Sequence, residues 1–364
     1  MSDARSNGPT GPQPGAPDLR SGARPVAPPV APAAQTTGPA RAGGGGDDAS
    51  AWAAHFELLV ENITRVIQGK DDVVRLALLC FVAEGHLLVE DVPGTGKTSL
   101  ARAIAASVDL TWNRIQFTPD LLPSDVTGVP IFNQATHDFV FRPGAVFANI
   151  VIGDEINRAS PKTQSALLEV MEEGTFTIDG VVYPVPMPFM VIATQNPIDM
   201  EGTYKLPEAQ LDRFLMKLEL GYPDARAEAR VLEVQKNGHM VDRLQAVLNQ
   251  DDMLAMIRWT HTVEVAPAVV DYIVAIAHHT RTAPEVRLGV SPRGSLALLR
   301  ASRAAALASG RLFVTPEDVK ALAPAVLAHR IIVTPEAELQ KRSGAEVVQR
   351  ALQAVAVPRA MAPG

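Results

Sequence analysis

Short apolar runs alternate with helix-like segments along residues 51–222 of the chain. The runs at 86–90, 114–117, 149–153, 188–194 and 216–220 are rich in Leu, Val and Ile and have the length of buried strands. Between them, apolar side chains recur at the spacing of one face of an α-helix. Strands that alternate with helices are typical of an α/β fold with a parallel sheet, and we expect that fold here.

Two pairs of β-prone runs interrupt this pattern and read as hairpins. The first pair, 129–132 and 138–141, is joined by polar residues, and its aromatic side chains could lie in the core or on an exposed surface. The second pair, 175–178 and 181–185, flanks Asp179 and Gly180, which favour a two-residue turn. Past Pro223 the spacing is helical only, so we place a domain boundary near Tyr222 and expect an all-α domain after it.

Composition sets the outer limits of the folded region. Residues 1–48 are dominated by Pro, Gly and Ala, and such a segment buries too little apolar surface to offset the entropy cost of ordering. We therefore expect a disordered tail at 1–48, an α/β core at 49–222, a helical domain at 223–355 and a flexible tail at 356–364.

Charge, cysteine content and hydropathy narrow the protein class. The formal net charge of −7 argues against an extended nucleic-acid groove, so nucleic acid is an unlikely partner. Cys80 is the single cysteine and lies in an apolar run, which indicates a packed thiol rather than a disulfide framework. No run approaches the ~18 apolar residues of a membrane span, and no signal-peptide pattern opens the chain. We expect a cytoplasmic protein.

The turn after the first strand has the composition of a phosphate-binding loop. It reads Pro93-Gly94-Thr95-Gly96-Lys97-Thr98 and leads into a helical segment. Its glycines let backbone N–H groups converge on an anion at a helix N-terminus; the lysine would reach the β- and γ-phosphates, and the threonine hydroxyl would take one Mg²⁺ position. Asp91 stands where the general pattern has glycine, and an ordinary strand–turn–helix corner is the alternative.

Two adjacent carboxylates end the strand at 149–153. The carboxyl ends of parallel strands are where ligands bind in α/β sheets. Asp154 would hold Mg²⁺, directly or through water, and Glu155 would orient and deprotonate the attacking water. A solvated Asp-Glu turn is the alternative.

Three further positions are candidates for the same site. Asn196, at the tip of the strand at 188–194, could bond the γ-phosphate and the water, or could be a turn residue before proline. The helix break at 67–69 could contact the base, or could be a simple helix–helix turn. Arg293 stands in the first turn of a helix capped by Ser291, where a cation is disfavoured by the helix dipole, so we expect it to have an anionic partner.

Taken together, these motifs resemble the AAA+ ATPases, and more narrowly the MoxR group. The resemblance spans about residues 55–340. It is carried by the segments 90–98, 117–125, 154–159, 194–197, 208–214 and 291–294, in this order and spacing. The family tolerates a residue other than glycine at the position of Asp91.

The resemblance implies a role for each motif. It implies an αβα P-loop core with β-hairpin inserts in helix 2 and before sensor 1, followed by a helical lid, and a ring that is usually hexameric. ATP and Mg²⁺ are the implied cofactors. MoxR members are thought to mature other protein complexes, often with a von Willebrand factor A domain partner.

By resemblance, Walker A is Gly94 to Thr98, Walker B carries Asp154 and Glu155, sensor 1 is Asn196, sensor 2 is Arg293 and the arginine finger is Arg213.

The residues expected to act in hydrolysis are Lys97, Glu155, Asn196, Arg213 and Arg293. Those expected to contact nucleotide are Ile67, Gln68, Gly69, Pro93, Gly94, Thr95, Gly96, Lys97, Thr98, Ser99 and Asp154, with Thr98 and Asp154 also at the Mg²⁺.

Three other functions fit parts of this pattern. They are a magnesium-chelatase-like motor subunit, a helicase-type DNA-remodelling ring, and a scaffold that binds ATP without hydrolysing it. Acidic charge disfavours the second. The combination of Glu155, Asn196 and Arg213 disfavours the third, because binding alone needs none of them.

Overall fold

A computed structural model describes residues 45–90, 96–178, 180–195, 204, 206–222, 225–226, 228–229 and 240–358. The α/β part contains, in chain order, α1 (Gly45–Thr64), α2 (Asp71–Val82), β1 (Leu87–Glu90), α3 (Lys97–Ser107), β2 (Trp112–Gln116), α4 (Pro123–Thr127), β3 (Gly128–Asn133), β4 (Asp138–Pro143), β5 (Ile150–Asp154), α5 (Pro161–Glu173), β6 (Thr175–Ile178), β7 (Val181–Pro184), β8 (Met190–Gln195), α6 (Glu208–Leu211) and β9 (Met216–Leu218). A 3₁₀ turn, Ile156–Arg158, follows β5.

The lid continues the chain with α7 (Gln250–Thr260), α8 (Pro267–Thr282), β10 (Val286–Leu288), α9 (Pro292–Ala308), α10 (Pro316–Leu327), β11 (Ile332–Val333), α11 (Pro335–Leu339) and α12 (Gly344–Ala354). Short 3₁₀ turns occupy Met240–Arg243 and Ala328–Arg330. The boundary near residue 222 stays a prediction. Among the described residues, no helix is both long and apolar enough to cross a membrane.

The central sheet has five parallel strands in the order β2-β5-β8-β1-β9. Because the strands are parallel, all of them begin at one edge, here called the amino edge, and end at the other, the carboxyl edge. The predicted α/β fold with a parallel sheet is confirmed. Each predicted strand is present, although β9 ends at Leu218 rather than at residue 220.

Side chains alternate between two apolar layers on the two faces of the sheet. In β5, Ile150 and Ile152 pack with α1–α3 and the lid, whereas Val151 packs with α5 and the hairpins. The sheet is thus buried on both faces, which explains why its strands read as continuous apolar runs rather than as alternating ones.

Both predicted hairpins are present, and they meet at an aromatic cluster. The ring of Phe141, on β4, stacks on Tyr183, on β7, with centroids 4.2 Å apart. Phe176, on β6, lies 5.0 Å from Phe147 and 5.4 Å from Tyr183. At the far end of the first hairpin, Phe132 and Phe139 contact each other and are exposed. The aromatic side chains of the first hairpin therefore occupy both predicted environments: those at its base pack in the core, and those at its tip are exposed.

The expectation of helices only past Pro223 needs one correction. β10 and β11 pair antiparallel within the lid. Both are two- or three-residue segments, too short for a periodicity argument, and they pair because the fold brings two interhelical connections together. All other secondary-structure elements described from residue 240 onward are helical.

A buried ion pair fastens the lid to the α/β part. The Arg330 side chain is 2 % exposed and donates to the backbone carbonyl of Asp212 at 2.7 Å, to a carboxylate oxygen of the same residue, and to the carbonyl of Phe214 at 2.5 Å. Ser291, the cap of α9, donates to the other carboxylate oxygen of Asp212 at 2.9 Å. The chain next to Arg213 is therefore held by two lid residues.

Asp212→Asn should destabilise the fold. The substitution leaves the buried Arg330 guanidinium without its counter-charge, and breaking a buried pair costs about 3–5 kcal/mol. Urea unfolding should show this loss. Glu208→Gln is the matched control, because its pair with Arg287 is 52 % exposed on the glutamate side and should change stability by less than about 1 kcal/mol. Equal effects of the two substitutions would contradict the assignment.

Candidate functional site

The two predicted acids lie at the carboxyl edge, at the end of β5. Asp154 is buried, and its carboxylate accepts from the Thr194 hydroxyl at 3.3 Å and pairs with the Arg114 guanidinium at 2.6 Å. Thr194 stands on β8, the strand between β5 and β1. Asp154 is thus fixed by both neighbouring strands. It lies at the same edge of the sheet as the end of β1, where the phosphate loop begins.

Glu155 has an unusual backbone. Its φ of +57° lies in the left-handed region, which costs a non-glycine residue energy and is concentrated at functional sites. Its N–H donates to the Thr194 hydroxyl at 3.0 Å, and one of its carboxylate oxygens lies 3.2 Å from the Gln116 amide nitrogen and 3.1 Å from Arg158. The turn thus places this carboxylate beside Gln116 of β2, while the backbone of Glu155 stays tied to β8.

Arg114 and Gln116, both on β2, are site residues that the sequence analysis did not single out. They hold Asp154 and Glu155, respectively, across the β2–β5 ladder, in which Arg114 faces Ile152 and Gln116 faces Asp154. One indication of their role was available in the sequence, because both side chains stand near the carboxyl end of a predicted parallel strand. The pairing of strands was needed to connect them with the acids.

The phosphate loop is described from Gly96 onward. Gly96 adopts φ +94° and precedes α3, whose first turn contains Lys97, Thr98 and Ser99. The N-terminus of α3 thus directly follows the glycine loop in the chain, as an anion site of this kind requires. Pro93, Gly94 and Thr95 lie outside the described residues, as does Asn196.

The helix break at residues 67–69 lies beside the same edge. Lys70 donates to the carbonyl of Tyr222, which follows the carboxyl end of β9, the strand next to β1. Ile67 is buried, and Gly69 has φ +71°. The Gln68 side-chain oxygen is buried and has no hydrogen-bond partner among the described residues, so a donor such as an adenine amino group fits there.

Arg213 and Arg293 lie together at the amino edge. Arg213 binds one carboxylate oxygen of Glu172 at 2.9 Å, and Arg293 binds the other. They line a cavity of about 500 Å³ with residues that precede β1 and β8, among them His86 and Phe189. The anionic partner expected for Arg293 is therefore Glu172, and the two arginines are separated from the predicted phosphate site by the length of the sheet.

The donor set at the carboxyl edge fits a nucleotide with Mg²⁺. Within the described ranges, no group of three or more His, Cys, Asp or Glu side chains is arranged to hold a metal. Magnesium at phosphate sites needs only one or two protein ligands, since phosphate and water supply the rest. Thr98 and Asp154 would be those ligands.

Two known families match parts of the chain. The profile of the ATPase family associated with various cellular activities (AAA) matches residues 86–216, and that of the AAA lid domain matches residues 278–351.

Relatives extend over most of the chain. The chain is 50 % identical over 299 residues to the uncharacterized protein YeaC of Bacillus subtilis, covering 82 % of this chain and 93 % of YeaC. It is 40 % identical over 325 residues to Chaperone MoxR1 of Mycobacterium tuberculosis, covering 87 % and 86 % of the two chains. A crystal structure of a candidate ATPase from Cytophaga hutchinsonii has a TM-score of 0.81 and 36 % identity, and the match covers 86 % of this chain and 98 % of that one.

Proposed function

Because the chain belongs to the MoxR family of AAA+ ATPases, we propose that it hydrolyses ATP with Mg²⁺ as a cytoplasmic ring of identical subunits, and that hydrolysis drives the remodelling of partner protein complexes. A hexamer is the expected ring. One observation carries the proposal: the arginines of the site lie at the opposite edge of the sheet from its acids.

That separation argues for catalysis between subunits. The strand β8 has six residues, so the two edges are about 17 Å apart at about 3.3 Å per residue. Arg213 and Arg293, at the amino edge, are therefore out of reach of a phosphate held at their own carboxyl edge. Both are partly exposed, and in a ring each would meet the nucleotide of a neighbour. We assign Arg293, like Arg213, to action in trans.

The residues divide the chemistry of phosphoryl transfer among them. Lys97 would bind the β- and γ-phosphates, Asn196 would orient the attacking water, and Glu155 would take its proton. Mg²⁺, held by Thr98 and Asp154, would neutralise charge on the phosphate oxygens. The neighbour's two arginines would stabilise the charge on the transferred group. Since this reaction depends mainly on positioning and charge, a site divided between two subunits hydrolyses ATP only when the ring is assembled.

Remodelling of partner proteins is supported by two observations. The relative MoxR1 is named a chaperone. On this chain, the tip of the β3–β4 hairpin exposes Phe132 and Phe139 side by side. An exposed apolar patch commonly marks a site of protein–protein interaction. The partner we propose is a von Willebrand factor A domain protein together with a client complex.

Mixed rings test the division of the site. Lys97→Ala and Arg213→Ala should each be nearly inactive alone. When the two variants are assembled together in equal amounts, about a quarter of the interfaces should join an intact phosphate loop to an intact arginine, because the two lesions lie on opposite sides of the interface. We expect ATPase activity to recover to about that fraction, measured as phosphate release.

A same-side mixture is the control. Rings that combine Lys97→Ala with Glu155→Gln should not recover, since neither subunit has an intact phosphate side. Differently tagged subunits that co-purify would establish that the rings are mixed. Absence of recovery in co-purified Lys97→Ala and Arg213→Ala rings would overturn action in trans.

A further inference from the structure

We propose that Glu172 is a positioning residue that holds Arg213 and Arg293 as a pair, ready to receive the γ-phosphate bound by a neighbouring subunit. This inference rests on the proposed function, because it assumes that the two arginines act in trans. It adds a residue that binds neither nucleotide nor metal.

The three side chains come from three separate parts of the fold. Glu172 stands in the last turn of α5, Arg213 in the turn before β9, and Arg293 in the first turn of α9 in the lid. Each carboxylate oxygen takes one guanidinium. A single carboxylate thus links the α/β part and the lid at the point where the arginines converge.

Charge explains why a carboxylate is needed there. Two guanidinium groups bound to one carboxylate are close enough to repel each other, and the anion between them offsets this repulsion. Without Glu172, Arg213 and Arg293 would separate, each toward water. A phosphate arriving from a neighbour would then have to gather both side chains, and their ordering cost would be added to the barrier.

Both Glu172 and Arg293 occupy unfavourable places on their own helices. An anion in the last turn of a helix and a cation in the first turn each oppose the helix dipole. Their contact offsets both costs. Fold stability is a weak reason for this arrangement, because the side chains of Glu172, Arg213 and Arg293 are 33 %, 28 % and 43 % exposed, and exposed ion pairs stabilise little.

The end of α5 that carries Glu172 is fixed to the sheet. The Nδ1 atom of His86 accepts from the N–H of Val191 at 3.0 Å, so its Nε2 bears the proton and donates to the carbonyl of Met171 at 2.8 Å. Burial lowers the pKa of His86 to about 4, so the ring is neutral at pH 7. The residue before Glu172 is therefore anchored between β1 and β8, which gives the carboxylate a rigid support.

Glu172→Gln tests the inference, with Glu173→Gln as the matched control. Glu173 is the next residue of the same helix and is exposed, and its side chain makes no hydrogen bond or ion pair with any residue that the structure describes. We expect Glu172→Gln to lower kcat by about ten- to a hundredfold, because a misplaced catalytic group costs up to about 10² in rate. ATP affinity and the unfolding midpoint should not change, and Glu173→Gln should match the parent. Glu172→Asp, which keeps the charge, should retain more activity than Glu172→Gln.

Mixed rings identify the side of the interface on which Glu172 acts. Glu172→Gln with Lys97→Ala should recover activity, as Arg213→Ala does. Glu172→Gln with Arg213→Ala should not recover, because both lesions lie on the arginine side. Recovery in that second mixture, or a kcat for Glu172→Gln equal to that of Glu173→Gln, overturns the inference. If Arg213→Ala alone keeps the parental kcat, the proposed function fails instead.

Discussion

Arg213→Ala should abolish most ATP turnover while leaving ATP binding intact. An arginine supplied in trans to a transferring phosphoryl group is worth about 10³ to 10⁵ in rate. Arg213 lies at the amino edge, away from the phosphate loop of its own subunit, so its removal leaves that subunit's binding site unchanged. Steady-state phosphate release and titration with a fluorescent ATP analogue measure the two quantities separately.

Arg287→Ala is the matched control for that prediction. Arg287 is an arginine in an exposed ion pair with Glu208. Its replacement removes the same charge from an ion pair that is exposed on both sides, and should leave kcat unchanged. An Arg213→Ala enzyme with parental turnover would remove the assignment of this residue as the arginine that acts on the neighbour's nucleotide.

Glu155→Gln should bind ATP and fail to hydrolyse it. Loss of a general base lowers the rate of the chemical step by about 10² to 10⁴, and glutamine is nearly the same size as glutamate, so the backbone turn at this position is kept. Thr194 holds that turn through the main chain, which the substitution does not alter. Nucleotide extracted from the purified variant should therefore be mainly ATP.

A carboxylate away from the site provides the comparison for Glu155→Gln. Glu169→Gln changes an exposed residue of α5 and should release phosphate at the parental rate. Extraction of ADP alone from Glu155→Gln, together with normal turnover, would show that another group takes the proton.

Part of this site could be predicted because the signals are local. Asp154 and Glu155 follow an apolar run directly, and the parallel arrangement of strands places them at the carboxyl edge. The partner of Arg293 could be predicted as a type of group, since a cation in the first turn of a helix needs an anion nearby.

The identity of that anion could not be predicted. Glu172 and Arg293 are separated by 121 residues, and the end of an amphipathic helix carries charged residues in any case. The roles of Arg114 and Gln116 could not be predicted for a related reason. Polar side chains on an edge strand resemble ordinary surface residues until the neighbouring strand is known. The roles of Glu172, Arg114 and Gln116 became visible only from contacts between segments that are distant in the sequence.

The aromatic cluster has a mechanical consequence. Phe141 and Tyr183 stack across two different hairpins, and Phe176, on the strand that follows α5, touches both rings. Since packed rings resist separation, neither hairpin can tilt alone without opening this contact. The two hairpins should therefore move together as one rigid unit. This unit pivots at the aromatic cluster, a few residues from the end of α5, and carries Phe132 and Phe139 at its far end.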